Sequence, residues 1–281
     1  MNERIEFSGH GGVDLVADAR GPLHGPVVVL LHGGGQTRHS WGGTAAVLAE
    51  RGFRSITVDA RGHGESAWAD DADYTLTAFA HDVQALTSAL EGPVYLVGAS
   101  LGGLTALLLL GEIAPDAARA LVLVDVVPQY QQAGATRIHD FMLDRMTDGF
   151  ASLEEAAGAV SAYNPHRPPP RDLLGLAKNL RERNGRWYWH WDPAFASMGS
   201  GPGEINDRER LARASRAVNV PMLLVRGRVS DLVTEESARE FLADVPHCEY
   251  FDVSGAGHMV AGDRNDAFTS AVVDFLTRVS S

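Results

Sequence analysis

The chain has 281 residues, 45% of them hydrophobic and 21% charged, with 36 acidic against 24 basic side chains and a net charge of −12. That balance suits one well-buried core and argues against nucleic acid as a partner, because polyanion binding needs clustered cations and the chain holds a single Lys, Lys178. The lone cysteine, Cys248, excludes an internal disulfide, which fits a cytoplasmic setting; it reads as a small apolar filler or a surface thiol. The opening MNERIEFSGH lacks the apolar stretch of a signal peptide, and the longest apolar runs, such as 104–110, are too short to span a bilayer, so no membrane partner is expected.

Taken in chain order, residues 5–7 and 13–16 read as two opening strands around the turn Gly9-His10-Gly11-Gly12. Residues 27–31, 55–58, 94–97, 121–124 and 222–225 are short apolar runs without polar alternation, the pattern of strands buried on both faces of a parallel sheet. Residues 43–50, 76–90, 101–112, 235–243 and 265–279 read as helices; in the last, Phe268, Val272, Val273, Phe275 and Leu276 recur at helical spacing. Such alternation predicts an α/β fold with helices on both faces of a mostly parallel sheet. It breaks between Val127 and Asn219, where no clear strand is visible. Helical patterns cover 138–146, 153–160 and 173–180, NPHRPPP at 164–170 cannot be helical throughout, and Trp187-Tyr188-Trp189-His190-Trp191 forms an aromatic cluster. The reading is a core in two parts, 1–126 and 220–281, with a helical cap inserted as 127–219.

Gly98-Ala99-Ser100-Leu101-Gly102 joins the strand 94–97 to the helix opening at Leu101. G-x-S-x-G at a strand-to-helix junction is a nucleophile elbow. Tiny neighbours let a sharp turn close, the turn lifts the Ser100 hydroxyl above the sheet, and the helix N-terminus faces developing negative charge. His32-Gly33-Gly34-Gly35 follows the strand 27–31, where the other half of an oxyanion hole belongs, and glycines leave backbone amides unobstructed. The hole is assigned to the amides of Gly34 and Leu101. Gly35 is the fallback for the first donor, because three glycines leave the register open. His32, His63 and His81 read as structural. Among 11 histidines, His258 is selected as general base by its place after the last strand, read at 249–253. Two acids compete to orient it. Asp231, in the loop after 222–225, is favoured because it gives the chain order Ser100, Asp231, His258 and because loops at strand C-terminal ends converge. Asp125, ending 121–124, is the second candidate and otherwise shapes the pocket floor.

At this point the chain resembles the α/β-hydrolase superfamily, in its cap-bearing serine esterase branch with epoxide-hydrolase-like sequence. The motifs that carry the resemblance are LLHGGG at 30–35, VDARGHGES at 58–66, VGASLGG at 97–103, LLVRGRVSD at 223–231 and GAGHM at 255–259. The resemblance implies an eight-stranded sheet with its second strand antiparallel, a cap after the sixth strand, triad roles for Ser100, Asp231 and His258, and a structural turn at RGHGES. Epoxide hydrolases and haloalkane dehalogenases carry Asp at the nucleophile position, where this chain has Ser100. A serine alkoxide attacks carbonyl carbon and leaves an acyl-enzyme that water hydrolyses; an ether formed from serine has no such exit.

The expected activity is therefore that of a carboxylesterase, cleaving a small carboxylic ester through a catalytic triad and an acyl-enzyme, with no metal and no organic cofactor. The same site suits lactones, amides, thioesters, carbon–carbon bonds beside a ketone, and perhydrolysis; a catalytically silent binding protein is the reading from another class. Candidate pocket residues are Gly35, Asp125, Met142, Trp187, Trp189, His190 and Met259. The cap aromatics either roof that pocket or only pack the cap, since aromatics dominate buried area in both roles. Nothing in the sequence sets the oligomeric state or points to a partner protein.

Overall fold

Strand β3 (Val27–Leu31) is buried along its whole length. Val27, Val29 and Leu31 enter one apolar cluster, and Val28 and Leu30 enter another. Successive side chains of a strand point to opposite faces, so two covered faces require an unbroken apolar run. The computed structural model describes residues 3–163, 173–197, 207–258 and 265–280. In chain order its strands are β1 (Glu3–Ser8), β2 (Asp14–Arg20), β3, β4 (Arg54–Val58), β5 (Val94–Ala99), β6 (Leu121–Val124), β7 (Leu180–Arg183), β8 (Arg186–Trp189), β9 (Met222–Gly227) and β10 (Cys248–Val253). All but β7 and β8 form one eight-stranded sheet in the order β1-β2-β4-β3-β5-β6-β9-β10. β2 runs antiparallel to both of its neighbours, and the strands from β4 onward pair in parallel.

The helices are α1 (Gly42–Glu50), α2 (Leu76–Ser88), α3 (Leu101–Leu108), α4 (Gln132–Leu143), α5 (Leu153–Tyr163), α6 (Leu173–Ala177), α7 (Pro193–Ser197), α8 (Arg208–Ala217), α9 (Glu235–Asp244) and α10 (Asn265–Val279). α1 and α10 cover one face of the sheet, packing Leu48, Phe268 and Phe275 against Val28, Tyr95 and Val225. α2, α3, α8 and α9 cover the other, through Phe79, Leu104, Leu211 and Phe241. Among the described residues no helix is long and apolar enough to cross a membrane.

The inserted segment differs from its expected form in two ways. First, β7 and β8 make an antiparallel hairpin where no strand was expected. Its turn residues Asn184 and Gly185 have φ of 51° and 73°, the doubly positive geometry of a type I′ turn, which Asn-Gly favours because it matches strand twist. That dipeptide is the signal in RERNGRWYW. Second, the end of the segment 127–219 packs with the core. Leu211 and Ala214 of α8 belong to the main core cluster, whereas a separate cluster draws on residues between Met142 and Ala196. α8 thus packs in the core layer.

Candidate active site

Ser100 lies between β5 and α3 as the N-cap of α3, with φ 47° and ψ −116°, a left-handed backbone that costs energy for any residue with a Cβ. The surroundings impose it. A Cβ at Gly98 would overlap the Gly102 carbonyl, and one at Gly102 would overlap the Leu31 carbonyl. The two glycines therefore allow α3 to sit tightly against β3 and β5.

Asp125 occupies the equivalent point on the next strand. Ala99 pairs with Val124, so Ser100 and Asp125 are the first residues beyond a shared register, and Asp125 too is left-handed, with φ 49°. Its carboxylate is completely buried and fully engaged. Oδ1 accepts from the Gly227 amide at 2.9 Å; Oδ2 accepts from Ser230 Oγ at 2.6 Å and from His258 Nδ1 at 2.8 Å. The histidine loop comes this close because Gly227 has no side chain: a Cβ there would overlap the Gly257 carbonyl. The expectation that Asp231 orients His258 is corrected by this geometry. Asp231 is 43% exposed and its carboxylate pairs with Arg137 Nη2 on α4 at 2.9 Å, tying the cap to the loop after β9. Asp125 is accordingly the partner of His258 rather than a pocket residue.

The glycine loop after β3 is fixed by three buried histidines. The Gly33 amide donates to Gln36 Oε1 at 3.1 Å, and the Gly35 amide donates to His63 Nε2 at 3.1 Å. Gly34 retains an amide with no partner among the described residues, and Gly34, Ser100 and Leu101 line one cavity. Gly35, the fallback donor, has its amide engaged by His63. His32 donates from Nδ1 to the Gly33 carbonyl at 2.8 Å and accepts at Nε2 from the Ala60 amide at 3.0 Å. Burial holds His32 and His63 below the ordinary histidine range and takes His190 down to about 3, so all three stay neutral.

The cavity at Ser100 measures about 370 Å³. Of the expected pocket residues, Met142 lines it. Trp187, Trp189 and His190 do not. Trp189 stacks on Trp191 with ring centroids 4.8 Å apart and donates from Nε1 to the Asp144 carbonyl at 3.0 Å; Trp187 exchanges backbone bonds with Phe150. Trp187 and Trp189 therefore pack within the inserted segment. His190 holds backbone instead, at Gly64 and Gly35. Met259 lies outside the described residues. The sequence reading missed Tyr74, Tyr130, Ile138, His139 and Phe195, all of which line the cavity. The available signal was the helical spacing of Ala135, Ile138 and Met142; α4 starts at Gln132, six residues before the expected helix, and presents that stripe to Ser100.

Comparison with known proteins agrees with this architecture. The profile of the alpha/beta hydrolase family matches residues 28–271. Esterase Rv0045c of Mycobacterium tuberculosis is 32% identical over 254 residues, covering 88% of this chain and 81% of that protein. The 3-hydroxybutyrate-oligomer hydrolase of Cupriavidus necator is 28% identical over 249 residues, 84% of each chain. The crystal structure of E-2-(acetamidomethylene)succinate hydrolase superposes with a TM-score of 0.86 at 22% identity, covering 99% of this chain and 100% of that one, a likeness of fold. The chain is thus a hydrolase and belongs to the alpha/beta hydrolase family.

Proposed function

We propose that the chain hydrolyses a small carboxylic ester through an acyl-enzyme on Ser100. His258 gives its Nδ1 proton to the bond with Asp125, which leaves the Nε2 lone pair for the Ser100 proton. Ser100 Oγ attacks the carbonyl carbon, His258 returns the proton to the departing alcohol, and Asp125 favours the imidazolium between those events. The Gly34 and Leu101 amides receive the oxyanion. Water then attacks the acyl-enzyme by the same route, releasing the acid and free serine.

The observation that carries this reading is the 2.8 Å bond between buried Asp125 and His258, one strand away from the strained Ser100 elbow. Two relatives named as an esterase and an oligomer hydrolase support an ester as the substrate. The 370 Å³ cavity suits a small acyl group, and Gln132, Thr136 and His139 give its apolar lining one polar wall. Burst kinetics with a short-chain p-nitrophenyl ester, comparing wild type with Ser100→Ala, test the proposal. Turnover with a burst in wild type and none in the variant is expected. Activity that persists in Ser100→Ala rejects the nucleophile, and a wild type inert to esters, lactones and amides favours a silent site.

A further inference from the structure

A run of three glycines has the greatest conformational freedom a chain can have, yet Gly34 must hold one amide against the oxyanion. Its neighbours are gripped from outside. Gly35 donates its N–H to His63 Nε2 at 3.1 Å and accepts at its carbonyl from His190 Nε2 at 3.3 Å. The Gly64 amide, next in sequence to His63, donates to His190 Nδ1 at 2.8 Å. These bonds close a ring: Gly35 to His63, along the chain to Gly64, across to His190, and back to Gly35.

The donors settle the tautomers. Backbone N–H groups can only donate, so His63 accepts at Nε2 and His190 accepts at Nδ1. Each ring then carries its proton on the other nitrogen. His63 Nδ1 donates it to the Arg61 carbonyl at 2.9 Å, and His190 Nε2 donates it to Gly35. The Gly33 carbonyl is separately held by His32 and by the Gln36 amide at 3.1 Å. A trans peptide sets its N–H opposite its C=O, so fixing that carbonyl aims the Gly34 amide the other way.

His190 follows β8, and Arg181 of β7 donates from Nη2 to the Gly64 carbonyl at 2.6 Å. The cap hairpin therefore supplies two of the side chains that grip this assembly. Building on the oxyanion assignment above, we propose that His63 and His190 are positioning residues that hold the Gly34 amide in its productive orientation, and that the seated cap hairpin completes the oxyanion hole through His190.

The test uses five variants of the full chain. Glutamine places a polar atom near Nε2 and asparagine near Nδ1, so His63→Gln and His190→Gln keep the contact to Gly35, whereas His63→Asn and His190→Asn keep only the contact away from it. The readouts are kcat and KM for p-nitrophenyl acetate, the rate of Ser100 labelling by a fluorophosphonate, and Tm. The asparagine variants are expected to lose about 10- to 100-fold in kcat and labelling rate, less than outright removal of a hole donor, with KM within about threefold. The glutamine variants should stay within about fivefold of wild type, whatever their Tm. Arg181→Met, which loosens the ring from the hairpin side and spares both histidines, should lower kcat about threefold with KM unchanged, and it keeps the test alive if an asparagine variant does not fold. Equal losses in asparagine and glutamine variants, losses that follow Tm alone, or wild-type kcat throughout would overturn the proposal while leaving Ser100 in place. A wild type that is neither active nor labelled defeats the ester-hydrolase reading itself, and this inference with it.

Discussion

On the sheet side of the cavity, Ser100 and Asp125 each sit one residue past a register shared by β5 and β6, on backbone held left-handed by strand ends and close-packed glycines. On the cap side, Met142 and Phe195 reach the cavity from α4 and α7, elements held by aromatic stacking and by an exposed ion pair between Arg137 and Asp231. The sheet side is positioned by main-chain geometry, which leaves few degrees of freedom. The cap side is positioned by side-chain packing, which leaves more. Changes on the sheet side should therefore act on the chemical step, and changes at Met142, Phe195 or the Arg137–Asp231 pair on binding and local stability.

The sharpest test of that contrast compares the two acids. Asp125→Asn should lower kcat by about 10³- to 10⁴-fold, the loss seen when a triad acid no longer fixes the histidine tautomer. Asp231→Asn should change kcat by no more than about threefold, since an exposed ion pair contributes little. Equal effects in steady-state kinetics would erase the distinction. Next in size, Gly227→Ala should reduce kcat about 10- to 100-fold, because the added methyl displaces the His258 loop and small misplacements of a catalytic group are costly; circular dichroism should show the fold retained.

A third test separates the loop from the rest through pH. His32, His63 and His190 titrate lower in the folded than in the unfolded chain. Between the two values the unfolded chain binds more protons, so stability is full above about pH 6.5 and falls as pH drops toward the folded values, by up to about 1.4 kcal/mol per pH unit for each histidine. Urea unfolding at pH 7.5 and pH 5 should show this loss, and replacing His190 with Gln should make the curve shallower. The smallest effect is expected on the cap: Arg137→Ala should cost no more than about 1 kcal/mol and lower Tm by about 2 °C. A large kcat effect from that variant would show that the cap latch also sets the chemistry.

The sequence by itself determined the sheet, the elbow and the glycine loop. Unbroken apolar runs admit only doubly covered strands, and Gly98 and Gly102 around Ser100 leave one compact way for a strand to turn into a helix. The Asn184-Gly185 hairpin was equally local and went unread, because four-residue strands give too short a pattern to outweigh the helical signals around them. Tertiary structure alone decided between Asp125 and Asp231, because both lie at strand ends and only the fold shows that Gly227 and Ser230 enclose one carboxylate beside His258 while Arg137 draws the other to the surface. It also decided that His190 holds backbone and that Trp189 packs the cap. Such roles depend on which distant groups a buried side chain meets, and nothing in residue spacing encodes a contact between positions 35, 64 and 190.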